Sequence, residues 1–168
     1  MNYISGGISG AISDPYSKKA LNHAAKYYEE IRHRNDDIDK ISKLTGYTRD
    51  QVLFVKNYLF VDEHLLSTGK HRFDPSFQIA ESWQRLADMQ ELVQFHDTLL
   101  IPHELLEIDL IKAGMTQTEA HIRTCETYNY PKEADEFYEN LSLQSKPTIE
   151  KDNKLKIIKS DNDWSLNL

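Results

Sequence analysis

Residues 96–114, HDTLLIPHELLEIDLIKAG, decide the fold. Read at about 100° per residue, the stretch is apolar around nearly its whole circumference and polar only along a narrow arc. His96, His103 and Glu107 fall within about 40° of one another on that arc, and Glu104 borders it. A helix apolar on most of its sides belongs at the centre of a bundle, wrapped by other helices. Its expected span is from about Asp97 to Ala113, closing at Gly114, with Pro102 marking either a kink or the true start.

Working outward from this helix, both flanks read as helical. Thr116 and Glu119 form a capping box that opens TQTEAHIRTCETY (residues 116–128), and Pro131 begins PKEADEFYENLSL (131–143). Upstream, Asp74-Pro75 reads as a cap and first helical residue for PSFQIAESWQRLADM, with Phe77, Ala80, Trp83 and Ala87 as its inner stripe. Glu81 and Arg85 read as a surface ion pair of that helix. A second capping box, Thr48 with Gln51, precedes VLFVKNYLF; its β-branched and aromatic content would suit a strand, but the cap and the lack of strict alternation favour helix. DDIDKISKLT is a short helix stopped by Gly46. Asp14-Pro15 is the expected cap of a helix running to about Arg34, with Ala20, Ala24, Tyr27, Tyr28 and Ile31 on its buried face.

Six or seven helices and no convincing pair of strands predict an all-α, compact bundle in a single domain, residues 14–143. Residues 1–13, with Gly6, Gly7 and Gly10, read as a flexible lead-in, and residues 144–168 as a polar tail in which LKII could add a short strand. The 168-residue length suits one domain with a real core, and no apolar run approaches the roughly 18 residues that span a bilayer. No secretory signal is apparent, although export by a specialised system would leave no such mark, and the single cysteine, Cys125, favours a reducing compartment or indifference to redox state; the expected setting is cytoplasmic. Residues 1–143 hold 15 Lys and Arg against 23 Asp and Glu, a balance that speaks against general DNA binding.

The polar arc is where chemistry is expected, because carboxylates buried in a bundle are costly unless paired, protonated or bound to a cation. His103 and Glu107, four residues apart, can offer two ligands to one metal; His121 on the next helix would be a third, and Glu104 an acid–base residue beside them. The His-Glu-x-x-Glu pattern departs from the His-Glu-x-x-His of zinc proteases. The same groups also suit an interhelical salt-bridge network with Arg32, Arg72, Arg85 or Arg123, or a metal-free acid–base site. A second cluster, DEHLLSTGKHRFDP, crowds His64, His71, Arg72 and Asp74 into a loop, where Arg72 could capture a phosphate or carboxylate or simply pair with a capping Asp74.

The series HAAKYYEEIR, TGYTRDQVLFVKNYLF, EHLLSTGKHRFDPSFQIAESWQRL, IPHELLE and EAHIRTCETYNY resembles a helical module found at the C-termini of phage MuF-like head-morphogenesis proteins and of bacterial polymorphic toxins. It covers about residues 13–142, and its most specific pieces are RFDP…SWQRL and HE..E…AH. The resemblance names no reaction. It implies a final domain delivered into a target cell as a toxic effector, possessing a cognate immunity protein. Its matched polar positions are His23, Tyr28, Arg32, His64, Arg72, Asp74, Trp83, Arg85, His103, Glu104, Glu107, His121 and Tyr128. Joined to the polar arc, it leads to the expectation of a hydrolase or nuclease acting on a small phosphorylated or nucleotide substrate or RNA. His103, Glu107 and His121 would hold zinc, manganese or iron, with Glu104, Arg72, His64 and Asp74 as catalytic residues. The alternative is a non-catalytic phage accessory or protein-interaction module.

Overall fold

Capping boxes set the helix starts that the sequence places most sharply. Thr48 accepts from the Gln51 amide while the Gln51 side chain accepts from Thr48, and Thr116 and Glu119 repeat the arrangement. A computed structural model describes residues 12–145. Its elements are α1 (Lys18–His33), α2 (Asp36–Thr45), α3 (Arg49–Lys56), β1 (His64–Leu66), β2 (Gly69–His71), α4 (Phe77–Asp88), α5 (Phe95–Lys112), α6 (Gln117–Cys125) and α7 (Tyr130–Gln144). A π turn, Asn57–Val61, extends α3, and a 3-10 turn, Gln90–Leu92, precedes α5. Among the described residues the fold is all-α apart from one small hairpin, and no helix is long and apolar enough to cross a membrane. The expected lead-in (except Ile12 and Ser13), nearly all of the tail, and LKII lie outside the described residues.

α5 packs against α3, α4, α6 and α7, and α1 and α2 close over the far side of α4. The aromatic core runs between these layers: Phe60 meets Tyr28 and Trp83 edge-on, and Phe77 meets Tyr138. The most deeply covered helix is α4, buried from Ala80 through Ala87 without a break. On α5 the polar arc is part of the side turned inward: His96, His103, Glu104 and Glu107 are buried together with Leu100, Ile101 and Ile108, while Leu99, Leu105 and Leu106 are half-buried.

Several expectations are corrected. Ser17, not Asp14, caps α1, accepting from the Ala20 amide at 3.1 Å; Asp14 accepts from Tyr16 one turn earlier. Ser76, not Asp74, caps α4, because the serine lies immediately before the first helical residue and its hydroxyl reaches the Ile79 amide. α5 begins at Phe95, where the Asp97 carboxylate accepts the Gln94 amide, and Pro102 sits inside the helix. β1 and β2 form an antiparallel pair, His64 opposite His71 and Leu66 opposite Gly69, where no strand pair was expected. Gly69 makes the turn possible, with φ at +119°.

The Glu81–Arg85 pair is not on the surface. Both side chains are wholly buried, and Arg85 makes a bidentate bond to Asp97 at 2.7 and 2.8 Å, joining α4 to α5. A second buried pin joins α2, α3 and α4: Asp37 pairs with Lys56 at 3.0 Å and accepts from the Trp83 indole at 2.9 Å.

Candidate functional site

α5 delivers His103, Glu104 and Glu107 on one inward face, and α6, crossing it, delivers His121 and Cys125, again four residues apart. Between the two helices Glu107 is the hub. Its Oε2 accepts from His121 Nδ1 at 2.8 Å and lies 3.5 Å from His103 Nε2, and its Oε1 accepts from the Tyr58 hydroxyl at 3.0 Å. His103 Nδ1 donates to the Tyr128 carbonyl at 2.7 Å, and His121 Nε2 lies 3.7 Å from Cys125 Sγ.

These contacts set the charges. Burial would raise the Glu107 carboxyl, but bonds from His103, His121 and Tyr58 together outweigh it and hold Glu107 below its ordinary range. Burial likewise opposes charge on His103, yet Glu107, Glu104 and the Tyr128 carbonyl prevail and raise it. Glu104 has no such donors. Burial pushes its carboxyl up to about 8, with His103 opposing and the Glu107 charge adding, so it is largely a neutral acid at pH 7. The result is three ionisable groups in a row with different proton affinities, the arrangement acid–base chemistry needs.

His103, Glu104, Glu107 and His121 line one cavity of about 240 Å³ together with Leu59, Phe73, Gln78, Ile79, Gln117 and Tyr130. Among the described residues no lysine or arginine lines it. The arginines proposed to neutralise the arc are engaged elsewhere: Arg85 with Asp97 and Glu81, Arg32 with Glu29 and the Phe60 carbonyl, Arg123 with Glu126.

The structure brings His103, Glu104, Glu107 and His121 together and leaves His64, Arg72 and Asp74 outside the cavity wall. His64 stacks on Phe73, with centroids 4.1 Å apart, and donates to the Tyr58 carbonyl at 2.8 Å. Arg72 donates to the Val61 carbonyl at 2.9 Å, and Asp74 is exposed. With Arg32 on Phe60, His64 and Arg72 cap the Tyr58, Phe60 and Val61 carbonyls at the end of the π turn. They thereby hold Tyr58 and Leu59 against the site. His96 is also separate, buried beside Arg85, Asp97 and Phe137.

Two members escape the sequence reading. Tyr58 lies in an apolar run that looks like core, and Cys125 is a lone thiol; the only signal is that Cys125 stands four residues after His121, as Glu107 stands four after His103. Compared with protein-family models, curated proteins and solved structures, the chain has no significant match.

Proposed function

We propose that this chain is a hydrolase, an effector of the polymorphic-toxin kind, whose reaction is centred on His103, Glu104, Glu107 and His121. The observation that carries the reading is the convergence of two imidazoles and two carboxyls from two helices on one cavity, with no arginine neutralising them. Buried groups of this kind are costly to a fold, and a purely structural role would favour pairing each with its own counter-charge, as Asp97 is paired with Arg85. Glu104 faces the cavity from an apolar wall and serves as the proton-transfer group; Glu107 orients His121 and, through Tyr58, is itself fixed.

The cavity's size bears on the substrate. At about 240 Å³ it is smaller than the roughly 300–1,000 Å³ of pockets that enclose a drug-sized ligand. It therefore admits a reacting group and its immediate neighbours, with the rest of the substrate outside. A lining without lysine or arginine favours an uncharged scissile group over a bare phosphate.

The test is expression of the native chain in bacterial cytoplasm beside His103→Ala and Glu104→Gln, with circular dichroism to show that each variant is folded. Native protein arrests growth and both folded variants do not. Equal growth of all three removes the effector reading.

A further inference from the structure

We infer that His103, His121 and Cys125 are the protein ligands of a tetrahedral zinc-type site, with Glu107 supporting His121 from behind and the fourth position facing the cavity. One ring nitrogen of each histidine and the Cys125 sulfur all lie within 4.8 Å of one another. The hydrogen bonds decide which nitrogen of each ring is left to face a metal. The Tyr128 carbonyl can only accept, so His103 Nδ1 keeps its proton; Nε2, which as an imidazolium N–H pairs with Glu107 Oε2 at 3.5 Å, offers a lone pair once a metal replaces that proton. The Glu107 carboxylate does the same for His121: Nδ1 donates to it and Nε2 is left free, 3.7 Å from the sulfur. A tetrahedral zinc with bonds of about 2.3 Å to sulfur and about 2.0 Å to nitrogen holds those two atoms about 3.5 Å apart. The pair stands close to that spacing already.

Each imidazole donates its remote N–H to a backbone carbonyl or a carboxylate, which is the support that orients metal-ligating histidines. This puts Glu107 in the supporting layer and Cys125 in the coordination sphere, in place of the His103, Glu107 and His121 set expected from sequence. An N₂S donor set suits zinc(II) and disfavours magnesium or calcium, which seek oxygen. Three protein ligands leave one position for water or substrate, the pattern of a catalytic centre. Binding releases the Cys125 thiol proton, and the Nε2 proton of the charged His103 ring, to solvent, so that a thiolate and two neutral imidazoles meet the metal.

The assignment deepens the hydrolytic reading of the same site, but metal binding is measurable without turnover. The full chain, tag-free and stripped with chelator, is titrated with zinc(II) by calorimetry and with cobalt(II) by absorbance. One equivalent binds, and the cobalt adduct shows thiolate-to-cobalt charge transfer that Cys125→Ser abolishes. Glu107→Gln keeps that band and weakens zinc binding by about 10–100-fold. Because Cys125 is the chain's one cysteine, alkylation of the native protein gives a readout without any variant: zinc slows it. Absence of stoichiometric zinc binding, unchanged alkylation with zinc, or a cobalt band that survives Cys125→Ser overturns the assignment. So does loss of binding in Glu107→Gln with retention in Cys125→Ser, which would put the carboxylate on the metal. Metal binding without growth arrest leaves this site standing and removes the effector reading; growth arrest by a chain that binds no zinc does the reverse.

Discussion

Protonating His96 sets its neighbours against one another, and the outcome is measurable. The imidazole is buried, with Nε2 3.0 Å from the Arg85 guanidinium and 3.1 Å from Asp97 Oδ1. Arg85, held by Asp97 and Glu81, donates to Nε2, so the ring is neutral with its proton on Nδ1. Tyr130, Tyr138 and Phe137 pack against it and offer no charge. Burial first, and Arg85 after it, lower the ring to about 4, with Asp97 opposing. The folded chain therefore takes up this proton less readily than the unfolded chain, whose histidine titrates near 6.5, and stability falls as pH drops from 6.5 towards 4. The full interval from 6.5 to about 4 corresponds to about 3 kcal/mol, and the part spent by pH 5 to about 2 kcal/mol. Urea unfolding of the native chain and of His96→Gln at pH 7.5 and 5.0 isolates the effect, because titrations elsewhere cancel in the difference. The stability advantage of the native chain should shrink by about 2 kcal/mol between the two conditions. An advantage that stays constant would mean that the ring titrates alike in folded and unfolded chains, and one that grows on acidification that it is protonated and paired with Asp97; either refutes a neutral buried ring.

Two further outcomes follow from other buried groups. Glu104 has the opposite sign: its carboxyl titrates at about 8 when folded and near 4.5 when unfolded, so it costs stability increasingly as pH rises through that interval. Metal-free Glu104→Gln should be more stable than the native chain by about 3 kcal/mol at pH 7 and by almost nothing at pH 4.5, read from denaturant midpoints. Asp37→Ala leaves the Lys56 ammonium on the Arg34 carbonyl without a counter-charge and strands the Trp83 indole N–H, and should lose about 3–5 kcal/mol. If urea unfolding shows less than about 1 kcal/mol lost, water reaches Lys56 and the pair is not a pin.

Features fixed by a few neighbouring residues were legible in the sequence. The boxes at Thr48 and Thr116, Gly46 at the end of α2, and the apolar stripe of α1 need no tertiary information. The arc of His103, Glu104 and Glu107 was legible for the same reason, because polar groups on one side of an apolar helix have only the interior to face. What depended on the third dimension was not legible. An i, i+4 Glu81–Arg85 pair looks identical on a surface and in a core; its burial depends on partners from other helices, Asp97 of α5 and His23 of α1 among them. Three-residue strands carry no alternation to detect, so the hairpin was read as loop. Tyr58 and Cys125 join the site through the π turn and the crossing of α6 over α5, neither of which leaves a spacing signal.

The π turn at Asn57–Val61 constrains how this chain can diverge. A wide turn accommodates one residue more than a regular coil would, and a chain one residue shorter there would recover ordinary helix geometry. The shortening would also carry everything after it round by about 100°. The hairpin and α4 would then swing out of register with α1, and the carbonyl closures by His64, Arg32 and Arg72 would be lost together. Substitution within 57–61 disturbs one contact at a time, whereas a gap disturbs all of them. Descendants of this sequence should therefore vary in spelling along that segment and keep its length.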